Sequence, residues 1–216
     1  MTITEFTRDI IAVKNVLISC YDKTGLTYFV SELVKINPDV RIYCSSGTFN
    51  ELKKVAAANI VEISEYTGVK EMPSGLVKTL HPKIHSGILA DLNDEQQKKH
   101  LQSIGAVAFD LVVVNLYPFA EASKTGSIEN ARLNIVIGGV SLIESGAKNF
   151  PRVAVLVTPT KYKEFLDILR KNANDRIIRF QLSQAAVNYL SSYMEKINNY
   201  FKNLTPEMMK KEYKVE

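Results

Sequence analysis

The sequence predicts an α/β domain with a parallel-dominated sheet and helices on both faces. Short apolar runs alternate with helical patterns along most of the chain. The runs are apolar at consecutive positions, most clearly Leu111 to Val114, as strands buried on both faces must be. Polar turn residues follow the runs and lead into helices.

The first strand is NVLISC, Asn15 to Cys20. After YDKTG comes a helix, with Leu26, Phe29, Val30, Leu33 and Val34 recurring on one face. VRIYC (Val40 to Cys44) is the second strand, and SSGT opens a helix over Phe49 to Ala58. NIVEI (Asn59 to Ile63) is the third strand. From Ser64 to Ser86 periodicity vanishes, and Gly68, Pro73, Gly75, Pro82 and Gly87 predict a long irregular excursion. Asp91 to Ser103 is a polar helix, and FDLVVVNLYPF holds the central strand. NIVIGGVSLIESGAKN (Asn134 to Asn149) reads as an extended segment, a Gly-Gly turn and a helix. RVAVLV (Arg152 to Val157) is another buried strand, and a helix capped by Thr158 or Thr160 follows it. The last helix spans Asp175 to Lys202. Residues 1–14 are expected to form an N-terminal extension, 15–203 one domain, and 204–216 a charged tail that frays or packs on a partner subunit.

Composition narrows the function classes. The chain has 216 residues, 46% hydrophobic and 23% charged, ordinary for a soluble domain. No apolar run reaches the ~18 residues of a membrane span, and the acidic N-terminal segment lacks a signal peptide's character, so a cytoplasmic protein without membrane contact is expected. A net charge of +4 from scattered lysines offers no basic stripe for nucleic acid, but suits a small anion. Cys20 and Cys44 form neither a disulfide framework nor a zinc pattern, and are read as packing residues.

In parallel sheets ligands bind beyond the carboxyl ends of the strands. Tyr21-Asp22-Lys23-Thr24-Gly25 and Ser45-Ser46-Gly47-Thr48 both occupy such positions, each at a helix N-terminus. Hydroxyls, backbone N–H groups and a helix dipole suit phosphate, and Lys23 adds charge. Either segment alone is also an ordinary helix cap. Neither is a Walker loop or a GxGxxG turn.

Two of the three histidines, His81 and His85, lie in SGLVKTLHPKIHSG (Ser74 to Gly87). Four-residue spacing suits two metal ligands on a helix, but Pro82 disfavours helical geometry at His81 and no carboxylate or cysteine completes a shell, so no metal is expected. The expectation is that Lys78 and Thr79 face a ligand while the histidines hold the loop. Asn115 and Tyr117 close the central strand; packing alone would explain Tyr117, and the helix dipole alone would explain Lys148.

DKTG, SSGT, YTGVKEMPSGLVKTLHPKIHSGIL, DLVVVNLYPF, IGGVSLIESGAKN and VLVTPTKY occur in an order that resembles the IMP cyclohydrolase domain of the bifunctional AICAR formyltransferase/IMP cyclohydrolase family, from about Asn15 to Phe201. The resemblance implies the methylglyoxal synthase-like fold and dehydrative closure of FAICAR to IMP, with no cofactor and no metal. It implies a homodimer, and a formyltransferase on a separate protein. By the same resemblance Lys23, Thr24, Ser45, Gly47 and Thr48 would hold the 5′-phosphate, and Thr79, Asn115, Gly138 and Gly139 would complete the binding site. Lys78, Tyr117 and Lys148 would serve the reacting centre.

The sequence departs from the family pattern at five positions. Leu76 stands for an arginine, Val136 for the aspartate of IDIGG, Glu144 for an arginine, Tyr21 for a serine and Ser46 for a glycine. Losing a proton-transfer group costs about 10²–10⁴-fold in rate. Two further readings therefore stand beside the cyclohydrolase: a nucleotide-binding or regulatory paralogue, and a methylglyoxal synthase with Asp22 as base. Asp22, Glu71 and Glu144 are the carboxylates available to replace the missing one.

Overall fold

The structure, a computed structural model, describes residues 9–70, 72, 77–124 and 126–213. Five strands, β1 (Asn15–Cys20), β2 (Arg41–Cys44), β3 (Ile60–Glu62), β4 (Leu111–Asn115) and β5 (Ala154–Leu156), form one parallel sheet in the order β3-β2-β1-β4-β5. The chain winds outward from β1 through β2 to β3, then crosses back to place β4 on the other flank of β1. In open parallel sheets such a reversal is where ligands gather, here at the carboxyl ends of β1 and β4.

Side chains alternate between the two faces. Val16, Ile18, Ile42, Leu111 and Val113 pack under α1 (Leu26–Ile36), α2 (Ser46–Ala56) and α9 (Tyr162–Arg170). Leu17, Tyr43, Val112, Val114 and Val155 pack under α4 (Pro82–Leu89), α8 (Gly138–Lys148) and α10 (Arg176–Lys202). Cys20 and Cys44 are buried in the first of these cores.

The predicted irregular excursion contains two helices. After β3 comes α3 (Ile63–Thr67), stopped by Gly68 at φ 75°. In α4 Pro82 is the first helical residue, where its missing N–H costs nothing, and His81 is the extended cap whose Nδ1 accepts from Lys83 N. Gly87 is helical because of close packing: a Cβ there would lie 2.2 Å from the Val107 carbonyl. Similarly, Gly138 and Gly139 are the first turn of α8 rather than a turn before it. The second helix begins at Ser46, three residues earlier than its apolar pattern, because Thr48 N and Phe49 N both bond to the Ser45 carbonyl.

Four short elements lie between the main ones: α5 (Glu95–Ser103), α6 (Phe119–Ser123), α7 (Ile128–Leu133) and a 3₁₀ turn (Pro159–Lys161). Neither Thr158 nor Thr160 caps a helix through its side chain; the two hydroxyls bond each other. The charged tail is helical over α11 (Pro206–Glu212) and packs on its own chain: Glu212 accepts from Ser127 Oγ, and Tyr213 donates to Glu129. Among the described residues no helix is long and apolar enough to cross a membrane.

Candidate functional site at the carboxyl edge

Asn115, 8% exposed at the end of β4, fixes the loop that follows β1. Its Oδ1 accepts from Asp22 N at 2.7 Å and its Nδ2 donates to the Asp22 carbonyl at 2.8 Å. The loop turns into α1 through Gly25, whose φ of 69° few other residues tolerate. Asp22 Oδ1 accepts from Thr24 N, and the hydrogen bonds from Thr24 hold the Asp22 carboxyl below its usual range. Lys23 is half-buried, with its ammonium 3.4 Å from the Tyr21 carbonyl. This is a rigid loop presenting one lysine, with an ionised carboxylate that makes a weak base.

Ser45 and Thr48 are buried at the start of α2, and Ser45 Oγ donates to Thr48 Oγ1. Gly47 is exposed, and nothing lies within 4 Å of where its Cβ would be. The α2 N-terminus thus presents small groups and the positive end of a helix to the same edge as Lys23.

Residues 73–76, including Leu76, and Glu71 lie outside the described residues. The loop resumes at Val77, a β-branched residue at φ 52°, a backbone conformation that costs on the order of 1–3 kcal/mol and clusters at functional sites. Lys78 is half-buried, and Thr79 is only 3% exposed. Thr79 rests against the start of α8 so closely that a Cβ on Gly138 would meet Thr79 Oγ1 at 2.4 Å.

His85 ties this contact down from below. Its Nε2 lies 3.1 Å from the Thr79 carbonyl and its Nδ1 3.0 Å from Ser145 Oγ on α8. A carbonyl can only accept, so Nε2 carries the proton and the serine hydroxyl donates to Nδ1. Burial pushes the imidazole pKa down, favouring this neutral form. Both histidines therefore hold the loop, as the sequence suggested. Among the described residues no group of three or more His, Cys, Asp or Glu side chains is placed to hold a metal. The 410 Å³ cleft lined by His85, Asp94 and His100 lies behind this histidine, between α4 and α5.

Tyr117 lies half-buried just past β4, its ring edge-on to the exposed Tyr21 at 4.8 Å between centroids. Two tyrosines of α10 reach this edge with their hydroxyls. Tyr189 Oη accepts from Leu116 N and Tyr193 Oη accepts from Val136 N. Val136 itself is half-buried beside Gly139 and packs on the second core.

The structure does not bring every expected residue together. Gly138, Gly139 and Thr79 meet at the amino end of α8. Lys148 is exposed at the other end, about 15 Å away along the helix axis. Its neighbour Asn149 bonds the Ile88 carbonyl, near where β4 begins. Within one chain Lys148, expected to serve the reacting centre, thus lies apart from Thr79 and Tyr117, because α8 runs antiparallel to the strands. Glu144 is exposed about two turns along the same helix, also away from the edge. The cysteines offer no nucleophile: burial raises the Cys20 thiol to about 11 and the Cys44 thiol to about 12.

Comparison with known proteins adds three findings. Residues 25–141 match the model of the MGS-like domain, and residues 146–216 match that of the AICARFT/IMPCHase bienzyme. The bifunctional purine biosynthesis protein PurH of Corynebacterium glutamicum (strain R) is 39% identical over 183 residues, covering 84% of this chain and 35% of the relative. The protein of the same name from Prochlorococcus marinus subsp. pastoris is 39% identical over 188 residues, 86% of this chain and 36% of the relative. The chain thus spans about a third of the length of these relatives. A structure titled "Crystal structure of ForH" superposes with a TM-score of 0.72 at 23% identity, over 88% of this chain and 99% of that one, a likeness of fold.

Proposed function

The chain belongs to the MGS-like domain family, and from that membership we propose that it works in purine biosynthesis as an IMP cyclohydrolase, closing FAICAR to IMP. The observation that carries this reading is that Lys23, Ser45–Thr48 and Tyr117 directly follow the carboxyl ends of the adjacent strands β1, β2 and β4, while Thr79 packs on Gly138 next to Gly139, which rests on Val114 and Leu116 of the β4 end. Its support from relatives is the bienzyme model over residues 146–216 and the similarity to PurH proteins.

In the reaction the carboxamide nitrogen attacks the formyl carbon within one molecule. A C–N bond forms, the formyl oxygen takes up protons and leaves as water, and the ring closes. Atoms balance without an electron carrier. In our reading Lys23, Thr24, Ser45, Gly47 and Thr48 hold the 5′-phosphate. Asn115 keeps the β1 loop in place behind it. Thr79, Gly138 and Gly139 form the wall against which the reacting groups fold, an arrangement that trades solution entropy for proximity. Lys78 stabilises the developing oxyanion and Tyr117 moves protons. Lys148 has no assigned step within one chain.

The competing reading, a nucleotide-binding protein without efficient turnover, is favoured by Val136, which offers no proton-transfer group, and by the depressed pKa of Asp22. Single-turnover conversion of FAICAR to IMP separates the two. The cyclohydrolase reading expects a rate well above uncatalysed closure that collapses in Lys78→Ala and rises about 100-fold in Val136→Asp. Tight IMP binding with no acceleration would establish the second reading, and no binding at all would remove both.

A further inference from the structure

We infer that Tyr21 determines which phosphate esters this site holds tightly. Its ring lies against the base of a bound nucleotide, so a small sugar phosphate without a base binds weakly. The inference deepens the function proposed above and rests on it for the phosphate end of the ligand.

The strand fixes where the ring points. Cys20 packs in the core under α1 and α9, whereas Leu17 packs in the core under α4, α8 and α10. Alternation along the strand therefore sends Ser19 and Tyr21 to the α8 side of the sheet. Tyr21 N donates to the Asn115 carbonyl, 3.4 Å away, and the Asn115 side chain bonds both polar groups of the Asp22 backbone. The ring thus stands on an anchored backbone, yet it is 55% exposed.

On the same side the sheet is incompletely covered. Ser19 is half-buried, although β1 is the central strand and Leu17 and Ile18 are wholly buried. Ser19 pairs with Val114, on which Gly139 rests, and Thr79 packs on Gly138 beside it. Solvent therefore reaches the central strand on the side that carries the Tyr21 ring and the start of α8.

Chemistry names the occupant. Tyr21 meets Tyr117 with the ring planes at 85°, a contact that leaves more than half of Tyr21 uncovered. An aromatic ring stacks on any nucleobase, with little regard to which base it is. On the same loop the Lys23 ammonium lies 3.4 Å from the Tyr21 carbonyl. A cation and a ring side by side match the two ends of a nucleoside monophosphate, whereas a triose or pentose phosphate would leave the ring in water. Three departures from the family pattern run the same way. Tyr21, Leu76 and Val136 put an aromatic or aliphatic side chain where the pattern has a serine, an arginine and an aspartate, which shifts binding from charge towards stacking.

The test titrates the full chain with IMP and with ribose 5-phosphate by NMR, which reads affinities into the millimolar range. IMP should move the Tyr21 ring protons upfield through the ring current of its base, and ribose 5-phosphate should not. Tyr21→Ser should weaken IMP binding about 5- to 150-fold and leave ribose 5-phosphate unchanged, whereas Tyr21→Phe should keep the wild-type affinity for both. The position is more than half exposed, so both variants should stay folded, as thermal unfolding checks. Unchanged IMP affinity in Tyr21→Ser, or an equal loss for both ligands, would overturn the inference and leave the proposed function standing. A wild type that binds neither ligand overturns both.

Discussion

At the amino edge of the sheet, buried cations are saturated by protein; at the carboxyl edge, cations are presented to solvent. Arg152 donates to the carbonyls of Gly87, Ile88, Ala90 and Phe109 and lies 3.8 Å from Asp110. Arg179, fully buried, donates to the carbonyls of Asp9, Phe150, Pro151 and Asn174, and burial lowers its pKa to about 10. These guanidiniums gather the ends of helices and loops that no secondary structure satisfies. Across the sheet Lys23 has one long contact to a carbonyl, Gly47 faces open space and Val77 holds an unfavourable backbone conformation. One edge spends its polar groups on stability, and the other leaves them exposed where the proposed ligand would bind.

The largest effect expected from this contrast is on stability. Arg152→Met should cost about 3–5 kcal/mol, because it orphans buried carbonyls and leaves Asp110 without its counter-charge. Chemical denaturation checks this. The sign with pH follows from Asp110, whose carboxyl is pushed up by burial. A carboxyl with a raised folded pKa favours folding below its unfolded pKa and loses that contribution as pH rises through the folded value. The deficit of Arg152→Met should therefore shrink on acidification; a deficit that grows would show that Asp110 is not the group left uncompensated.

Next comes affinity. Lys23→Ala should weaken binding of a nucleoside 5′-monophosphate about 10- to 100-fold by calorimetry, corresponding to about 1.5–3 kcal/mol, while moving stability by less than about 0.5 kcal/mol. A large loss of stability instead would erase the distinction between the two edges.

A smaller effect separates two glycines of the same edge. Gly138→Ala drives a methyl into Thr79 Oγ1 and should cost about 1–3 kcal/mol by thermal shift. Gly47→Ala meets nothing, so any loss there should appear only in ligand titrations.

The smallest effect belongs to His85. Because its pKa is lowered in the fold, the neutral ring's contribution is complete above an unfolded value near 6.5 and is lost as pH falls through the folded value. Nε2 keeps its proton toward the Thr79 carbonyl throughout, and the loss falls on Nδ1, which can no longer accept from the Ser145 hydroxyl. Protection factors at Leu80 and neighbouring amides, corrected for the intrinsic pH dependence of exchange, should fall as pH drops below the usual imidazole range, and His85→Gln should flatten that dependence.

Much of the architecture was legible in the sequence because both faces of a parallel strand must be apolar. Leu111 to Val114 and Asn15 to Cys20 announced themselves, and the loops after them followed from the rule that ligands gather at carboxyl ends. What stayed hidden depended on contacts distant in sequence. Pro82 and Gly87 looked like breakers until His81 proved to be a cap and the Val107 carbonyl proved to crowd the helix. The distance of Lys148 from the rest of the candidate site within one chain was hidden because the direction of α8 decides which edge it reaches. Arg152 and Arg179 gave no signal, since a basic residue beside a strand or on a helix ordinarily points to water. The hydroxyls of Tyr189 and Tyr193 were invisible for a similar reason: helical spacing reports the ring's burial, not where its oxygen lands.

The strand order also sets a timetable for synthesis. β1 is made first, yet it pairs on one flank with β4, and Lys14 N and Asn15 N donate to Asp110, about 95 residues further along the chain. At about 5–20 residues per second, a ribosome needs roughly 5 to 20 s to deliver that partner. During that interval the nascent chain holds Val16, Leu17 and Ile18 beside an unfilled slot, so the strand that becomes the centre of the sheet waits longest for its second neighbour.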